Sequence, residues 1–307
     1  MATLRYLHYD VFTDFPLEGN QLAVFPEPGG LTPELMQRVA REMNFSESTF
    51  IFPPERADTD IRMRIFTPGE ELPMAGHPTV GSTFALVKEG VIKPEQRDFV
   101  FGLGVGPTPV SIEWKAGAVD FVWMTQKNPE YRGTIADREA FARALGLSAA
   151  DLGAPPPEVV TCGNPFLIAA LASRDAVDRV EINRSAYVAC CAKAGLKEMP
   201  LFFFTAEFRL KAETTGQHED VYSRMLAPGL GVSEDPATGS ASGPLGCYLF
   251  KHRLLPRERL EHIVSLQGAK MLRPSRIHIS IDVKGAEITR VRVGGRSVLL
   301  GEGRLTF

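Results

Sequence analysis

The chain has 307 residues, of which 44% are hydrophobic and 23% are charged, and its formal net charge is -3. This length allows two hydrophobic cores of roughly 150 residues each. No apolar stretch approaches the roughly 20 residues of a membrane-spanning helix, the first residues lack the pattern of a secretory signal, and a mildly acidic chain is poorly suited to nucleic acid. We therefore expect a cytoplasmic protein without a membrane or nucleic-acid partner.

The first half of the chain shows mainly strand patterns around one helix. Residues 4–12, 22–25, 48–52 and 61–66 are predicted strands, because they are rich in aromatic and β-branched residues or alternate in polarity. Thr32 is a suitable N-cap before Pro33, and the apolar face that follows predicts a helix ending near residues 44–46. Two further strands are predicted at 110–114 and 118–124, joined by a short turn.

The polar segment 126–130 marks a boundary, after which strands again outnumber helices. The predicted helices of the second half are 137–145 and 184–194. The predicted strands are 201–204, 221–226, 277–283, 290–293 and 298–300. Because paired strands have short connections, the pattern favours an α+β fold with largely antiparallel sheets.

The chain contains an internal repeat. Residues 64–69 resemble residues 224–229, and residues 70–77 resemble residues 233–240 after a short insertion in the second copy. Each copy consists of a strand, a Pro-Gly turn, the pattern Glu-x-Pro-x-x-Gly and a helix without a polar face, which we expect to be surrounded by protein. The repeat predicts two similar lobes, each with a sheet around a central helix. The expected lobes are residues 1–127, completed by the C-terminal strands from about 288 to 307, and residues 128–287.

The two helix starts suggest an anion-binding site. Unpaired backbone N–H groups and the positive end of the helix dipole favour a carboxylate at such a position. We expect His77 and Ser240 to occupy equivalent N-cap positions and to face a cleft between the lobes. The alternative, that both residues only cap their helices, stays open at this point.

The sequence gives no pattern for a metal or cofactor site. The four cysteines include the neighbours Cys190 and Cys191 and form no Cys-x-x-Cys motif, so we expect reduced, packed thiols. The histidines lack metal-ligand spacing. The glycine-rich residues 102–106 lead into an extended segment rather than a helix, which argues against a dinucleotide loop. We therefore expect no metal and no bound cofactor.

Several segments, in order along the whole chain, resemble the PhzF family of phenazine biosynthesis. They are Gly19-Asn20, residues 46–50, 64–68 and 71–78, Glu-Asp-Pro-Ala-Thr-Gly-Ser-Ala at 234–241, Gln267-Gly268 and residues 273–275. The resemblance implies the fold of diaminopimelate epimerase, with two pseudo-symmetric lobes and an active site in the cleft between them. It also implies a cofactor-independent isomerase of a small carboxylate-bearing substrate.

The resemblance further implies roles for individual residues. In the phenazine enzyme that isomerises trans-2,3-dihydro-3-hydroxyanthranilate, a glutamate takes a proton from one ring carbon and returns it to another. Glu47 matches that glutamate, and His77, Asp235 and Ser240 match the other polar catalytic residues. The expected substrate-binding residues are Asn20, Ser46, Gly76, Thr238 and Gly239.

Two alternatives remain. The first is a metabolite-binding or protein-interaction module that has kept the fold without turnover. A two-thiol amino-acid epimerase or racemase is disfavoured, because no cysteine falls at the matching places.

A homodimer is expected, since dimers are the commonest homo-oligomers. One departure from the family is Leu272, where a glycine often precedes the Arg-Pro-Ser segment.

Overall fold

The computed structural model describes residues 3–206, 210–211 and 218–307. The helices are α1 (Pro33–Met43), α2 (Gly76–Lys88), α3 (Arg138–Ala144), α4 (Arg174–Arg179), α5 (Arg184–Lys193) and α6 (Gly239–Lys251). The strands are β1 (Thr3–Val11), β2 (Asn20–Phe25), β3 (Glu47–Phe52), β4 (Ile61–Phe66), β5 (Glu71–Leu72), β6 (Asp98–Leu103), β7 (Gly106–Lys115), β8 (Ala118–Gln126), β9 (Glu130–Thr134), β10 (Glu158–Thr161), β11 (Pro165–Ala170), β12 (Leu201–Thr205), β13 (Leu210–Lys211), β14 (His218–Glu219), β15 (Val221–Ala227), β16 (Val232–Asp235), β17 (Ile263–Gln267), β18 (Ser275–Lys284), β19 (Glu287–Gly295) and β20 (Ser297–Thr306). Among these described helices, none is both long and apolar enough to cross a membrane.

The chain divides into two compact units. Unit 1 comprises Met1–Gln126, Arg273–Arg276 and Arg292–Phe307. Its strands pair in the order β20, β1, β2, β3, β4, β6, β7, β8. The pairs β2–β3 and β4–β6 are parallel and the others are antiparallel. Helix α2 packs against β1, β2, β3 and β8, whereas α1 packs on the other face, where Met36, Val39 and Ala40 join a cluster with Phe25 and Phe50.

Unit 2 comprises Lys127–Leu272 and Ile277–Val291. Its strands β9, β10, β11, β12, β15 and β17 pair in that order, and the pairs β11–β12 and β15–β17 are parallel. Helix α6 packs against one face of this sheet together with Phe202 and Phe204. Helices α3, α4 and α5 contribute to a second cluster that contains Phe203.

The internal repeat predicted from the sequence is confirmed as a repeat of topology. In unit 1 the pairs β1–β2, β2–β3, β3–β4 and β4–β6 are antiparallel, parallel, antiparallel and parallel. In unit 2 the pairs β10–β11, β11–β12, β12–β15 and β15–β17 follow the same order. Strands β4 and β15 carry the repeated sequence, and each forms a short antiparallel pair with the next strand before the central helix.

Both central helices are buried, as their lack of a polar face predicts. Ten of the 13 residues of α2 and eleven of the 13 residues of α6 are buried. Glycines allow the close approach of neighbouring strands. A Cβ atom at Gly81 would lie 2.6 Å from side-chain atoms of Val11 and Leu22, and one at Gly246 would lie 2.7 Å from Ile279. A larger residue at either position would therefore overpack the core.

All predicted strands and helices are present, with ends that differ by a few residues. The α1 prediction is confirmed in detail, since Thr32 accepts a hydrogen bond from the Leu35 N–H and Asn44 ends the helix in a left-handed conformation. The four cysteines are free and buried, as expected. The structure adds elements that the sequence patterns did not reveal, among them β6, β9, β10, β11, β17 and α4.

The backbone conformation at Leu272 explains why a glycine suits this position. Its φ of 58° lies in the left-handed region, and its side chain is 86% exposed. We expect Leu272→Gly to raise the free energy of unfolding by about 0.5–1 kcal/mol, because relief of left-handed strain exceeds the entropy that glycine adds to the unfolded chain. Urea denaturation measures the change.

The matched control is Val91→Gly. Val91 is 45% exposed and its φ is not positive. This substitution adds chain entropy without relieving strain, so it should lower the free energy of unfolding by about 0.5–1 kcal/mol. An equal destabilisation in both variants would contradict the strain assigned to Leu272.

Candidate functional site

The first group of predicted site residues gathers at the start of β3. Helix α1 ends at the left-handed Asn44, and the half-buried Ser46 leads into Glu47, the first residue of β3, which pairs in register with Leu22 of β2. The Glu47 side chain is 15% exposed. A carboxylate at this position is thus close to the surface, yet held by a strand in the middle of the sheet.

His77 lies beside Glu47 and joins two further elements to it. It is the second residue of α2, directly after the buried Gly76, and its side chain is 3% exposed. The His77 Nδ1 atom lies 3.3 Å from Glu47 Oε2 and 3.3 Å from the Asn20 Nδ2 atom of β2. The structure therefore brings Asn20, Glu47 and His77 together.

The environment of His77 keeps its imidazole neutral. Burial lowers the pKa of His77 to about 3, while a hydrogen bond with the Gln21 backbone acts in the opposite direction. A neutral imidazole carries one ring proton, and its unprotonated nitrogen can accept a single hydrogen bond. An unprotonated Nδ1 can accept a hydrogen bond from Glu47 when the carboxyl group carries a proton.

The depressed pKa of His77 predicts an acid-sensitive stability. The unfolded chain has a histidine pKa near 6.5, so it binds the proton more tightly than the folded chain does. The neutral His77 therefore contributes to the free energy of unfolding in full above about pH 6.5. This contribution of His77 decreases as the pH falls toward about 3, at up to about 1.4 kcal/mol per pH unit. Urea denaturation from about pH 4 to pH 7 should show a shallower dependence for His77→Gln. Identical pH dependences would contradict a neutral, buried His77.

The second group of predicted site residues lies at the start of α6. Asp235 ends β16 and is 7% exposed, and Thr238 Oγ1 donates a hydrogen bond of 2.5 Å to Asp235 Oδ2. Gly239 and Ser240 are the first two residues of α6, and Ser240 is 8% exposed. Asp235, Thr238, Gly239 and Ser240 thus form one local cluster.

The prediction that His77 and Ser240 are N-caps is wrong. The N-caps are Ala75 and Thr238, so both predicted residues are the second residue of their helix and remain equivalent to each other. The reason is that each helix begins two residues earlier than predicted, at a glycine. In neither described helix does the N-cap side chain accept a hydrogen bond, and neither first turn contains an acidic residue. The N–H groups at both starts are therefore suited to an anion.

One residue of the second group was not predicted from the sequence. Gln267, the last residue of β17, is fully buried and hydrogen-bonds to both Asp235 and Thr238. Its only signal in the sequence was that the Gln267-Gly268 pair belongs to the segments that resemble the PhzF family.

The two groups belong to different units of the fold. Asn20, Ser46, Glu47, Gly76 and His77 lie in unit 1, and the Asp235 to Ser240 group lies in unit 2. That both groups face one substrate stays a prediction from the sequence. Over the described ranges 3–206, 210–211 and 218–307, no three His, Cys, Asp or Glu side chains cluster as a metal site would require.

Known proteins resemble this chain over almost its entire length. Residues 9–303 match the family described as phenazine biosynthesis-like protein, PhzC-PhzF. The trans-2,3-dihydro-3-hydroxyanthranilate isomerase of Pseudomonas aeruginosa is 36% identical over 300 residues, which cover 98% of each chain. The crystal structure of a PhzF-family phenazine biosynthesis protein of Bacillus anthracis has a TM-score of 0.83 at 27% identity and covers 100% of both chains.

A more distant structure supports the fold alone. A hydroxyproline epimerase of Agrobacterium vitis has a TM-score of 0.65 at 12% identity and covers 99% of this chain and 92% of its own. Together with the PhzF-family structure, this likeness confirms the predicted α+β, epimerase-like fold class.

Proposed function

Because the chain belongs to the phenazine biosynthesis-like PhzC-PhzF family and is an isomerase of that type, we propose that it moves a proton within a small cyclic carboxylate. The proposed substrate class follows the relative from Pseudomonas aeruginosa, whose name specifies trans-2,3-dihydro-3-hydroxyanthranilate. The observation that carries the proposal is the contact of 3.3 Å between Glu47 and the buried, neutral His77.

Glu47 is the proton carrier in this proposal. Its ionised carboxylate takes a proton from one ring carbon, and the electron pair of the broken C–H bond moves into the conjugated system of the substrate. The resulting glutamic acid returns the same proton to a second ring carbon on the same face, which restores the carboxylate. Atoms and charge balance without a cofactor, and the enzyme ends the cycle as it began.

His77 supports the intermediate stage of this cycle. The unprotonated Nδ1 accepts a hydrogen bond from the protonated Glu47 and so holds the acid in place between the two transfers. The Asn20 Nδ2 atom lies 3.3 Å from the same nitrogen and gives up that contact when Glu47 donates, because an unprotonated Nδ1 has a single lone pair. A protonated imidazole would instead favour the ionised carboxylate, so the low pKa of His77 suits a glutamate that has to hold a proton.

The helix starts supply the binding of the anion. We assign the substrate carboxylate to backbone N–H groups near Gly76 and Gly239, where the helix dipole favours negative charge. Asp235 and Ser240 are assigned to polar contacts with the substrate that assist the movement of the proton. These assignments rest on the matching of residues to the family and on the local geometry of each group.

The proposal is tested by incubating the enzyme with trans-2,3-dihydro-3-hydroxyanthranilate in deuterium oxide. Product formation is followed by absorbance, and the isotope content of substrate and product by mass spectrometry. We expect an isomer of the substrate in which only part of the molecules carry deuterium at the ring carbon that receives the proton, because the acid formed on Glu47 exchanges partly with solvent before it returns the proton. Tight binding with neither isomerisation nor exchange would favour a metabolite-binding protein. Neither binding nor turnover would show that the substrate belongs to another class.

A further inference from the structure

Gln267 occupies a central place in the second group of site residues. It is fully buried, and its carboxamide makes three hydrogen bonds inside unit 2. The Oε1 atom accepts from the Thr238 backbone N–H at 3.1 Å, and Nε2 donates to the Asp235 carbonyl oxygen at 2.7 Å and to Thr238 Oγ1 at 2.9 Å. The side chain thus connects the end of β17 to both ends of the turn before α6.

The orientation of this carboxamide is determined by its partners. The Thr238 backbone N–H can only donate, and the Asp235 carbonyl can only accept. Rotation of the amide by 180° would place a donor against the N–H and an acceptor against the carbonyl. Both interactions would be lost, so the position of the two Nε2 protons of Gln267 is fixed.

This orientation also determines the direction of the Thr238 hydroxyl. Because Nε2 donates to Thr238 Oγ1, that oxygen acts as the acceptor toward Gln267. The single hydroxyl proton is then available for Asp235 Oδ2, which lies 2.5 Å from Thr238 Oγ1. The result is a chain of hydrogen bonds with one polarity, from Gln267 through Thr238 to the Asp235 carboxylate.

We propose that Gln267 is a positioning residue of the isomerase, which acts through Thr238 to hold the Asp235 carboxylate in its working orientation. The inference rests on the proposed function, because it assumes that Asp235 acts on the substrate. With the hydroxyl proton directed at Oδ2, one oxygen of Asp235 is engaged and the rotation of the carboxylate is restricted. Preorganisation of this kind affects the rate of reaction more than the binding of the ground state.

The matched control is a second buried hydrogen bond to the same threonine. Ser242 is fully buried, and its hydroxyl donates to the Thr238 carbonyl oxygen at 3.0 Å, one helical turn into α6. Ser242→Ala removes a buried hydrogen bond of Thr238 without changing the direction of the Thr238 hydroxyl. It therefore reproduces a general loss of stability but not the proposed loss of orientation.

The test compares the steady-state kinetics of Gln267→Glu, Gln267→Met, Thr238→Val, Thr238→Ser and Ser242→Ala. We expect kcat to fall about 10- to 100-fold in the two Gln267 variants and in Thr238→Val, with KM changed less than about threefold. Ser242→Ala should stay within about threefold of the wild-type kcat, and Thr238→Ser, which keeps the hydroxyl, should have a higher kcat than Thr238→Val. Gln267→Met avoids the buried charge of Gln267→Glu, in case that variant does not fold.

A double-mutant cycle separates positioning from a general structural role. If Gln267 acts through the Thr238 hydroxyl, Gln267→Met combined with Thr238→Val should lower kcat little further than either change alone. If the losses of kcat in the two single variants multiply in the double variant, the proposal is overturned. A Gln267→Met variant with wild-type kcat would also overturn it.

Crystal structures of the variants provide a readout that needs no turnover. We expect the Thr238 Oγ1 to Asp235 Oδ2 distance to exceed about 3.2 Å in Gln267→Met and to stay below about 2.8 Å in Ser242→Ala. An unchanged distance in Gln267→Met would overturn the positioning role. The distance could lengthen in Gln267→Met while the wild-type protein turns over no substrate. That result would support the geometry assigned to Gln267 and refute the proposed function instead.

Discussion

Replacing Glu47 by glutamine is expected to lower the rate of isomerisation by about 1,000-fold or more. Glutamine keeps the size and position of the side chain but cannot take up a proton, so the step that breaks the C–H bond loses its base and the return step loses its acid. Because one group serves both steps, the loss should reach the upper part of the range for general acid–base catalysis. Exchange of substrate protons with deuterium oxide should fall in parallel.

The control for Glu47→Gln is Glu55→Gln. Glu55 follows β3, is 62% exposed and forms an ion pair with Arg62, so its replacement removes a carboxylate from the same region of unit 1 without touching the site. We expect its kcat to stay within about twofold of the wild type, because exposed ion pairs contribute little. Isomerisation above about a tenth of the wild-type rate in Glu47→Gln would show that another group moves the proton.

Replacing Asp235 by asparagine is expected to lower kcat by about 100-fold. Asparagine can still accept the Thr238 hydroxyl proton through its amide oxygen, so the turn before α6 should keep its structure. The negative charge and one acceptor are lost, and with them the polar contact assigned to the substrate. The free energy of unfolding, measured with urea, should change by less than about 1 kcal/mol.

The control for Asp235→Asn is Asp175→Asn. Asp175 lies on α4 in unit 2, and its side chain is 75% exposed and paired with Arg179. Its replacement should leave kcat within about twofold of the wild type. If Asp235→Asn also retains the wild-type kcat while Glu47→Gln is inactive, the second group takes no part in the chemistry and the site is confined to unit 1.

The repeat was the part of the fold that the sequence predicted best. Local similarity between residues 64–69 and 224–229 was enough to indicate two related halves, because equivalent strands of a duplicated fold need the same turn and helix signals. The identical series of antiparallel and parallel pairings in the two units confirms this inference.

Several strands were missed for a physical reason. Strands β10 and β11 are short and almost wholly buried, and a strand that is buried on both faces shows no alternation of polar and apolar residues. The Phe202-Phe203-Phe204 run of β12 has the same property, since its neighbouring rings belong to different core clusters. It was predicted because its aromatic residues favour strands.

The site itself depends on contacts that no sequence pattern encodes. Glu47 and His77 are distant in the sequence and meet only because β3 and α2 pack against each other, so their pairing was implied by resemblance and not by spacing. Gln267 is a clearer case. Its importance arises from three hydrogen bonds across the unit, whereas its only signal in the sequence was the Gln267-Gly268 pair that resembles the PhzF family.

The central claim is that Glu47 alone carries the proton from one ring carbon to another. It is tested most directly by a single turnover of trans-2,3-dihydro-3-hydroxyanthranilate deuterated at both saturated ring carbons, with excess enzyme in ordinary water. The account predicts that part of the product carries deuterium at the carbon that receives the proton, because the acid formed on the half-buried Glu47 returns the label before it exchanges fully with solvent. A product in which that carbon carries no deuterium above natural abundance would contradict a single carrier and point to separate groups for removal and return of the proton.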